Sequence, residues 1–211
     1  MTETAIRLIG ICGSPRKGGT EYAVRAGLER AATKYGAETD FFSVRRKDIK
    51  FCIHCDYCIR KQQGCIHKDD LQELYPRLEA ADAWLLGSPV YQGGVSAQLK
   101  AVLDRCRAVV ARDPKAFRNK VGSALAVGGD RAGGQEPTIQ ALHDFYLINE
   151  FLPVAGGSFG ANLGASVWSR DKGAAGVEGD AEGLAALHRT VDGLMRVALM
   201  VQAGAGSEAT E

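Results

Sequence analysis

Ile6-Arg7-Leu8-Ile9-Gly10-Ile11-Cys12-Gly13-Ser14-Pro15-Arg16-Lys17-Gly18-Gly19-Thr20 is the stretch on which the fold turns. It opens as a short apolar run, the pattern of a buried strand, and breaks at a turn. Residues 20–35 then carry apolar Tyr22, Ala23, Ala26 and Leu28 among alternating charges and stop at Gly36, which predicts a helix with a glycine stop. Residues 38–44 read as a second strand.

The same alternation continues down the chain. Asp69 and Asp70 are placed to cap a helix reaching Ala80 or Ala81. Residues 83–87 are a third strand. Ser96 can cap a helix with Leu99, Val102, Leu103, Cys106 and Val110 on one side. Residues 120–127 form a fourth strand, 136–150 a helix and 151–156 a fifth strand. The Gly/Ala-rich residues 160–180 read as a loop, 181–202 as the last helix and 203–211 as a flexible tail. Five strands alternating with helices predict an α/β fold: an open five-stranded parallel sheet, order 2-1-3-4-5, with helices on both faces. Ligands then bind beyond the carboxyl ends of the strands. One domain over 1–202 is expected, with a cysteine-rich insertion at 50–68.

The totals narrow the function class. The 211 residues are 45% hydrophobic and 24% charged, with a net charge of +1, ordinary for a globular chain with one sizeable core. Near-neutral charge argues against a nucleic-acid binder. No apolar run reaches membrane-spanning length. Met1-Thr2-Glu3-Thr4 lacks the basic start and long apolar stretch of a signal peptide, so a cytoplasmic location is the expectation.

Four of the six cysteines, Cys52, Cys55, Cys58 and Cys65, are spaced C-x2-C-x2-C-x6-C. Compact thiolate runs of this kind are the sequence trace of a [4Fe–4S] cluster. Disulfides suit a secreted chain too small for its own core. Zinc is the stronger rival, yet it usually pairs two C-x2-C knuckles across a longer spacer. A redox thiol site is the third reading. Cys12 and Cys106 fall on buried positions of a strand and a helix and are left out of the site.

Three glycine-bearing turns follow strands one, three and four and would meet at one end of the sheet. In the first, backbone amides, the positive end of the helix, and the Ser14 and Thr20 hydroxyls can wrap a phosphate, with Pro15 and Gly19 shaping the turn and Arg16 adding a charge-assisted bond. Gly19 stands where a nucleoside triphosphatase needs lysine, and the dinucleotide fingerprint is absent, which leaves a mononucleotide phosphate or an unliganded turn. The second turn, Ser88-Pro89-Val90-Tyr91-Gln92-Gly93, offers amides and one flat ring to a flavin. The third, with Gly128, Gly129, Arg131, Gly133, Gly134 and Gln135, can approach the ring's other edge because glycine permits close backbone contact.

With the stretches Gly13–Tyr22, the four cysteines, Gly87–Tyr91, Leu99-Lys100 with Asp104-Arg105, and Gly133–Glu136, the chain resembles the iron–sulfur flavoproteins, a branch of the flavodoxin-like NADPH-dependent FMN reductase family. The likeness covers roughly residues 5–157. It implies a flavodoxin-like three-layer fold, one FMN, one [4Fe–4S] cluster, and homodimers paired into a homotetramer, with flavin and cluster meeting across a subunit boundary. It also implies an oxidoreductase that passes electrons between a one-electron carrier such as ferredoxin and a two-electron acceptor, without a catalytic acid or base from the protein. An NAD(P)H-dependent FMN or quinone reductase, a pathway-specific flavin dehydrogenase and a redox sensor are the other readings.

Overall fold

The computed structural model describes residues 4–208. Its elements, in chain order, are β1 (Arg7–Cys12), α1 (Gly19–Tyr35), β2 (Glu38–Ser43), α2 (Tyr57–Lys61), a 3-10 turn (Asp70–Glu73), α3 (Tyr75–Ala80), β3 (Ala83–Tyr91), β4 (Gly94–Val95), α4 (Ala97–Arg105), α5 (Arg107–Val110), β5 (Val121–Gly128), α6 (Gln135–Ile148), β6 (Leu152–Pro153), β7 (Ala165–Trp168), α7 (Gly173–Glu178) and α8 (Ala181–Glu208). The sheet runs β2-β1-β3-β5-β6 and all these pairs are parallel. With β6 as fifth strand, this is the expected 2-1-3-4-5 order.

Successive strand residues alternate between two cores, as a pleated strand buried on both faces must. Ile9 and Ile11, Trp84 and Leu86, and Ala124 and Ala126 enter one core with residues of α3, α4, α5 and α6. Leu8, Ala83, Leu85, Leu125 and Val127 enter the other with residues of α1, α7 and α8. Helix α1 ends as its sequence requires: Gly36 takes a left-handed φ of 67° and its N–H closes on the last turn.

Four boundaries differ from expectation. First, β3 continues through Tyr91, so residues 88–91 are strand and not loop. Gln92 and Gly93, with φ of 49° and 77°, turn it into β4 as a two-residue hairpin. Second, the fifth strand position is shared. β6 pairs with the start of β5, and β7, inside the stretch expected to be a loop, pairs in parallel with its end, Leu125↔Ala165 to Gly128↔Trp168. Helix α7 also lies in that stretch. Third, α8 runs past 202 to Glu208, while residues 209–211 of the expected tail lie outside the described residues. The helix expected from Asp69 is broken at Leu74, where the 3-10 turn gives way to α3 with Pro76 in its first turn.

Candidate functional site

At the carboxyl ends of β1, β3 and β5 lies a cleft of about 230 Å³. It is lined by Ser14, Arg16, Lys17, Gly18, Gly19 and Thr20, by Pro89, Val90 and Tyr91, by Val127 and Gly129, and by Ser169, Asp171 and Gly173, the last packed beside Gly18 and Gly19. No side chain caps the start of α1, where Gly18 is the N-cap residue. Its first-turn amides and the positive end of its dipole therefore face whatever binds there. Ser14 shapes the turn: its Oγ accepts from the Arg16 amide at 3.2 Å and donates to the Arg16 carbonyl at 3.0 Å. The mouth of the loop is pinned to β3 and α4, since Gly13 N–H donates to the Gly87 carbonyl at 2.7 Å and Ser96 Oγ donates to the Gly13 carbonyl at 2.7 Å.

Of the residues expected to hold a cofactor, Ser14, Arg16, Gly19, Thr20, Pro89, Val90, Tyr91 and Gly129 line this cleft. Ser88 does not. It is fully buried, donates to the Pro89 carbonyl and accepts from the Ser96 amide, so it fixes the hairpin. Gln135 turns back into its own loop, accepting from Gly133 N–H at 2.8 Å and donating to the Asp130 carbonyl at 2.6 Å. Arg131 points away to Asp180, at 2.6 Å, and over the Trp168 ring. Pro15, Gln92, Gly93, Gly128, Gly133 and Gly134 also stand off the cleft lining. Gly134 and Gly93 nonetheless bring the second and third turns together: a Cβ at 134 would lie 2.8 Å from the Gly93 Cα.

The remaining stretch of lining, 169–173, lies in what the sequence predicts to be a plain loop. It is fastened to the third turn by Trp168 Nε1 donating to the Gly129 carbonyl at 2.6 Å and Ser169 Oγ donating to the Gly128 carbonyl at 3.0 Å. The alternating Ala165-Ser166-Val167-Trp168 before a polar, glycine-ended turn was the available signal, the same strand-turn-helix grammar as at β1.

Cys52, Cys55, Cys58 and Cys65 are free thiols, all half-buried, and all line one small pocket of about 20 Å³ with Ile53, Asp56, Ile66, His67 and Arg107. The loop folds by left-handed residues at His54, Asp56, Gln62 and Gly64. Among the described residues no group of three or more His, Cys, Asp or Glu side chains is gathered as a site for a metal ion. The two ends of the cysteine segment are tied together. Arg105, wholly buried, donates to both oxygens of Asp69, at 2.5 and 2.9 Å, and to the carbonyls of Lys50 and His67. Asp69 also accepts from the Lys50 and Leu71 amides. Arg107 pairs with Asp56 at 2.7 Å on the rim of the pocket.

A family model, NADPH-dependent FMN reductase, matches residues 6–166. The chain belongs to that family. An iron–sulfur flavoprotein of Methanocaldococcus jannaschii is 56% identical over 187 residues, spanning 89% of this chain and 94% of the relative. One of Archaeoglobus fulgidus is 53% identical over 184 residues, spanning 87% and 93%. The fold is shared with a WrbA-like flavodoxin protein from Agrobacterium tumefaciens, TM-score 0.62 at 20% identity, covering 94% of this chain and 98% of that one. Membership places the chain in the iron–sulfur flavoprotein branch and makes it an FMN-dependent oxidoreductase of flavodoxin-like fold. The residues present fit FMN: an uncapped helix start, two buried hydroxyls, Ser14 and Thr20, and the Arg16 cation surround one end of the cleft. The cysteine segment fits a thiolate-ligated group by its donor set, four unpaired sulfurs around one pocket. Among the described residues, no helix is long and apolar enough to cross a membrane.

Proposed function

We propose that this chain is an electron-transfer flavoprotein holding FMN in the cleft and a [4Fe–4S] cluster on Cys52, Cys55, Cys58 and Cys65, and that it links a one-electron carrier such as ferredoxin to a two-electron acceptor. The observation that carries the reading is that all four free thiols line one small pocket, in a segment clamped at both ends by the buried Arg105–Asp69 pair. When bound, FMN supplies chemistry that exchanges electrons in pairs or singly, and the cluster supplies single-electron chemistry.

The protein's own residues bind and orient. The enclosed volume, about 230 Å³, lies below the roughly 300–1,000 Å³ of pockets that enclose a whole small molecule. The cleft suits the phosphate and sugar-alcohol chain of FMN, with Arg16, Thr20 and the amides of α1 on the phosphate. Tyr91, partly exposed at the end of β3, then offers its face to the ring at the mouth.

Self-association to a dimer or tetramer is part of this reading. An apolar groove of about 650 Å³ between α4–α5 and α6 carries the exposed Ile148, and Arg107 borders both this groove and the cysteine pocket. A second subunit seated there would lie beside the cysteine pocket. The competing reading is an NAD(P)H-dependent flavin or quinone reductase whose cysteines hold zinc or nothing. Anaerobically purified protein decides between them: broad absorbance under the flavin bands, bleached by dithionite, supports the proposal, whereas a plain flavin spectrum with rapid NADPH oxidation supports the competitor.

A further inference from the structure

We infer that Asp171 is a specificity-determining residue of the cleft, accepting a hydrogen bond from a hydroxyl of the chain that links the flavin ring to its phosphate. The inference rests on the assignment of the cleft to FMN. Asp171, an exposed residue, is the one carboxylate among the residues lining the cleft, which also include the cations Arg16 and Lys17. Among the described residues it makes no side-chain hydrogen bond or ion pair, although Arg118, Arg131 and many other cations of the surface are paired.

Its position is built. Arg170 and Asp171 both hold φ at 52°, a conformation that residues with a Cβ rarely adopt. The turn is anchored by Ser169 N–H and Oγ, both donating to the Gly128 carbonyl. The carboxylate rests on Gly129, where a Cβ would lie 2.4 Å from Oδ1. Position 129 must lack a side chain for the carboxylate to stay where it is.

An ionised carboxylate only accepts hydrogen bonds. It repels a phosphate, so it serves neither the phosphate nor a second phosphate of a dinucleotide. The hydroxyls between ring and phosphate are neutral donors, the groups of FMN from which a carboxylate in this cleft can accept. A hydrogen bond to a charged partner in such a site is worth roughly tenfold or more in affinity.

The test titrates the full chain, freed of flavin, with FMN, with riboflavin and with a flavin phosphate whose linking chain lacks hydroxyls, following flavin fluorescence. Asp171→Ala should weaken FMN and riboflavin by the same factor, about tenfold, and leave the hydroxyl-free compound unchanged. Gly129→Ala, which displaces the carboxylate, should give the same pattern, and Asp171→Asn, which keeps one acceptor oxygen, should recover part of the loss. Unchanged or tighter FMN binding by Asp171→Ala overturns the inference, as does equal weakening of the hydroxyl-free compound. A wild-type chain that binds none of the three overturns the cleft assignment itself, and the inference with it.

Discussion

Asp69 and Arg105 form a bidentate ion pair with no exposed side-chain surface on either partner, and through it the chain before Cys52 is fastened to the chain after Cys65. The pair stands on two helical elements, Asp69 as the N-cap of the 3-10 turn and Arg105 at the end of α4. The ends of the cysteine segment are thus set by the core. Breaking a buried pair from one side leaves a stranded charge, which costs about 3–5 kcal/mol. Arg105→Ala should lower unfolding stability by that order, measured by denaturant titration, and release iron faster than wild type under chelator.

The same pair sets an acid limit. Burial works against the charge on Asp69, but the Arg105 guanidinium and the Lys50 and Leu71 amides outweigh it and hold the carboxyl below the usual range. A carboxyl depressed in the folded state adds stability above its unfolded value, about 3.9, and loses that contribution as pH falls through the folded value. Unfolding midpoints measured between pH 7 and pH 3 should therefore drop at the acid end, with a shallower drop in Asp69→Asn.

Arg16 and the α1 start should act on phosphate alone. Arg16→Ala is expected to weaken FMN by about tenfold or more, the worth of a charge-assisted bond, while riboflavin affinity stays put. Fluorescence titration with both flavins checks it. Equal loss for both would place Arg16 away from the phosphate.

Burial separates the cysteines into two classes. It pushes the Cys12 thiol up to about 11 and the Cys106 thiol up to about 12, so neither offers much thiolate at pH 8. Alkylation of iron-free native protein at that pH should label Cys52, Cys55, Cys58 and Cys65 and spare the other two until denaturant is added. Mass spectrometry of the labelled peptides reads the result.

Local signals were legible and distant ones were not. The β1 run, the Gly36 stop and the Ser96 and Asp69 caps are all contained within a few residues, and each stands where it was expected. The end of β3 was misread because Ser88-Pro89 looks like a breaker. In the fold, β1 pairs with β3 only as far as Gly87, so beyond it β3 has an open edge where a missing N–H is tolerated. Strand β7 is four residues of mixed size inside a glycine- and alanine-rich stretch, and only its pairing with β5 makes it a strand. Arg131 and Gln135 were expected at the flavin because their loop reaches that end of the sheet. Their side chains are claimed instead by Asp180 and by the loop's own backbone, partners that lie outside any local pattern.

Iron, acid-labile sulfide and flavin assayed together on anaerobically purified protein test the central claim most directly. About four iron and four sulfide per FMN, falling together when any one of Cys52, Cys55, Cys58 or Cys65 becomes serine while FMN stays bound, is the expected result. Full flavin with neither iron nor sulfide, and redox turnover indifferent to replacement of all four cysteines, would contradict it.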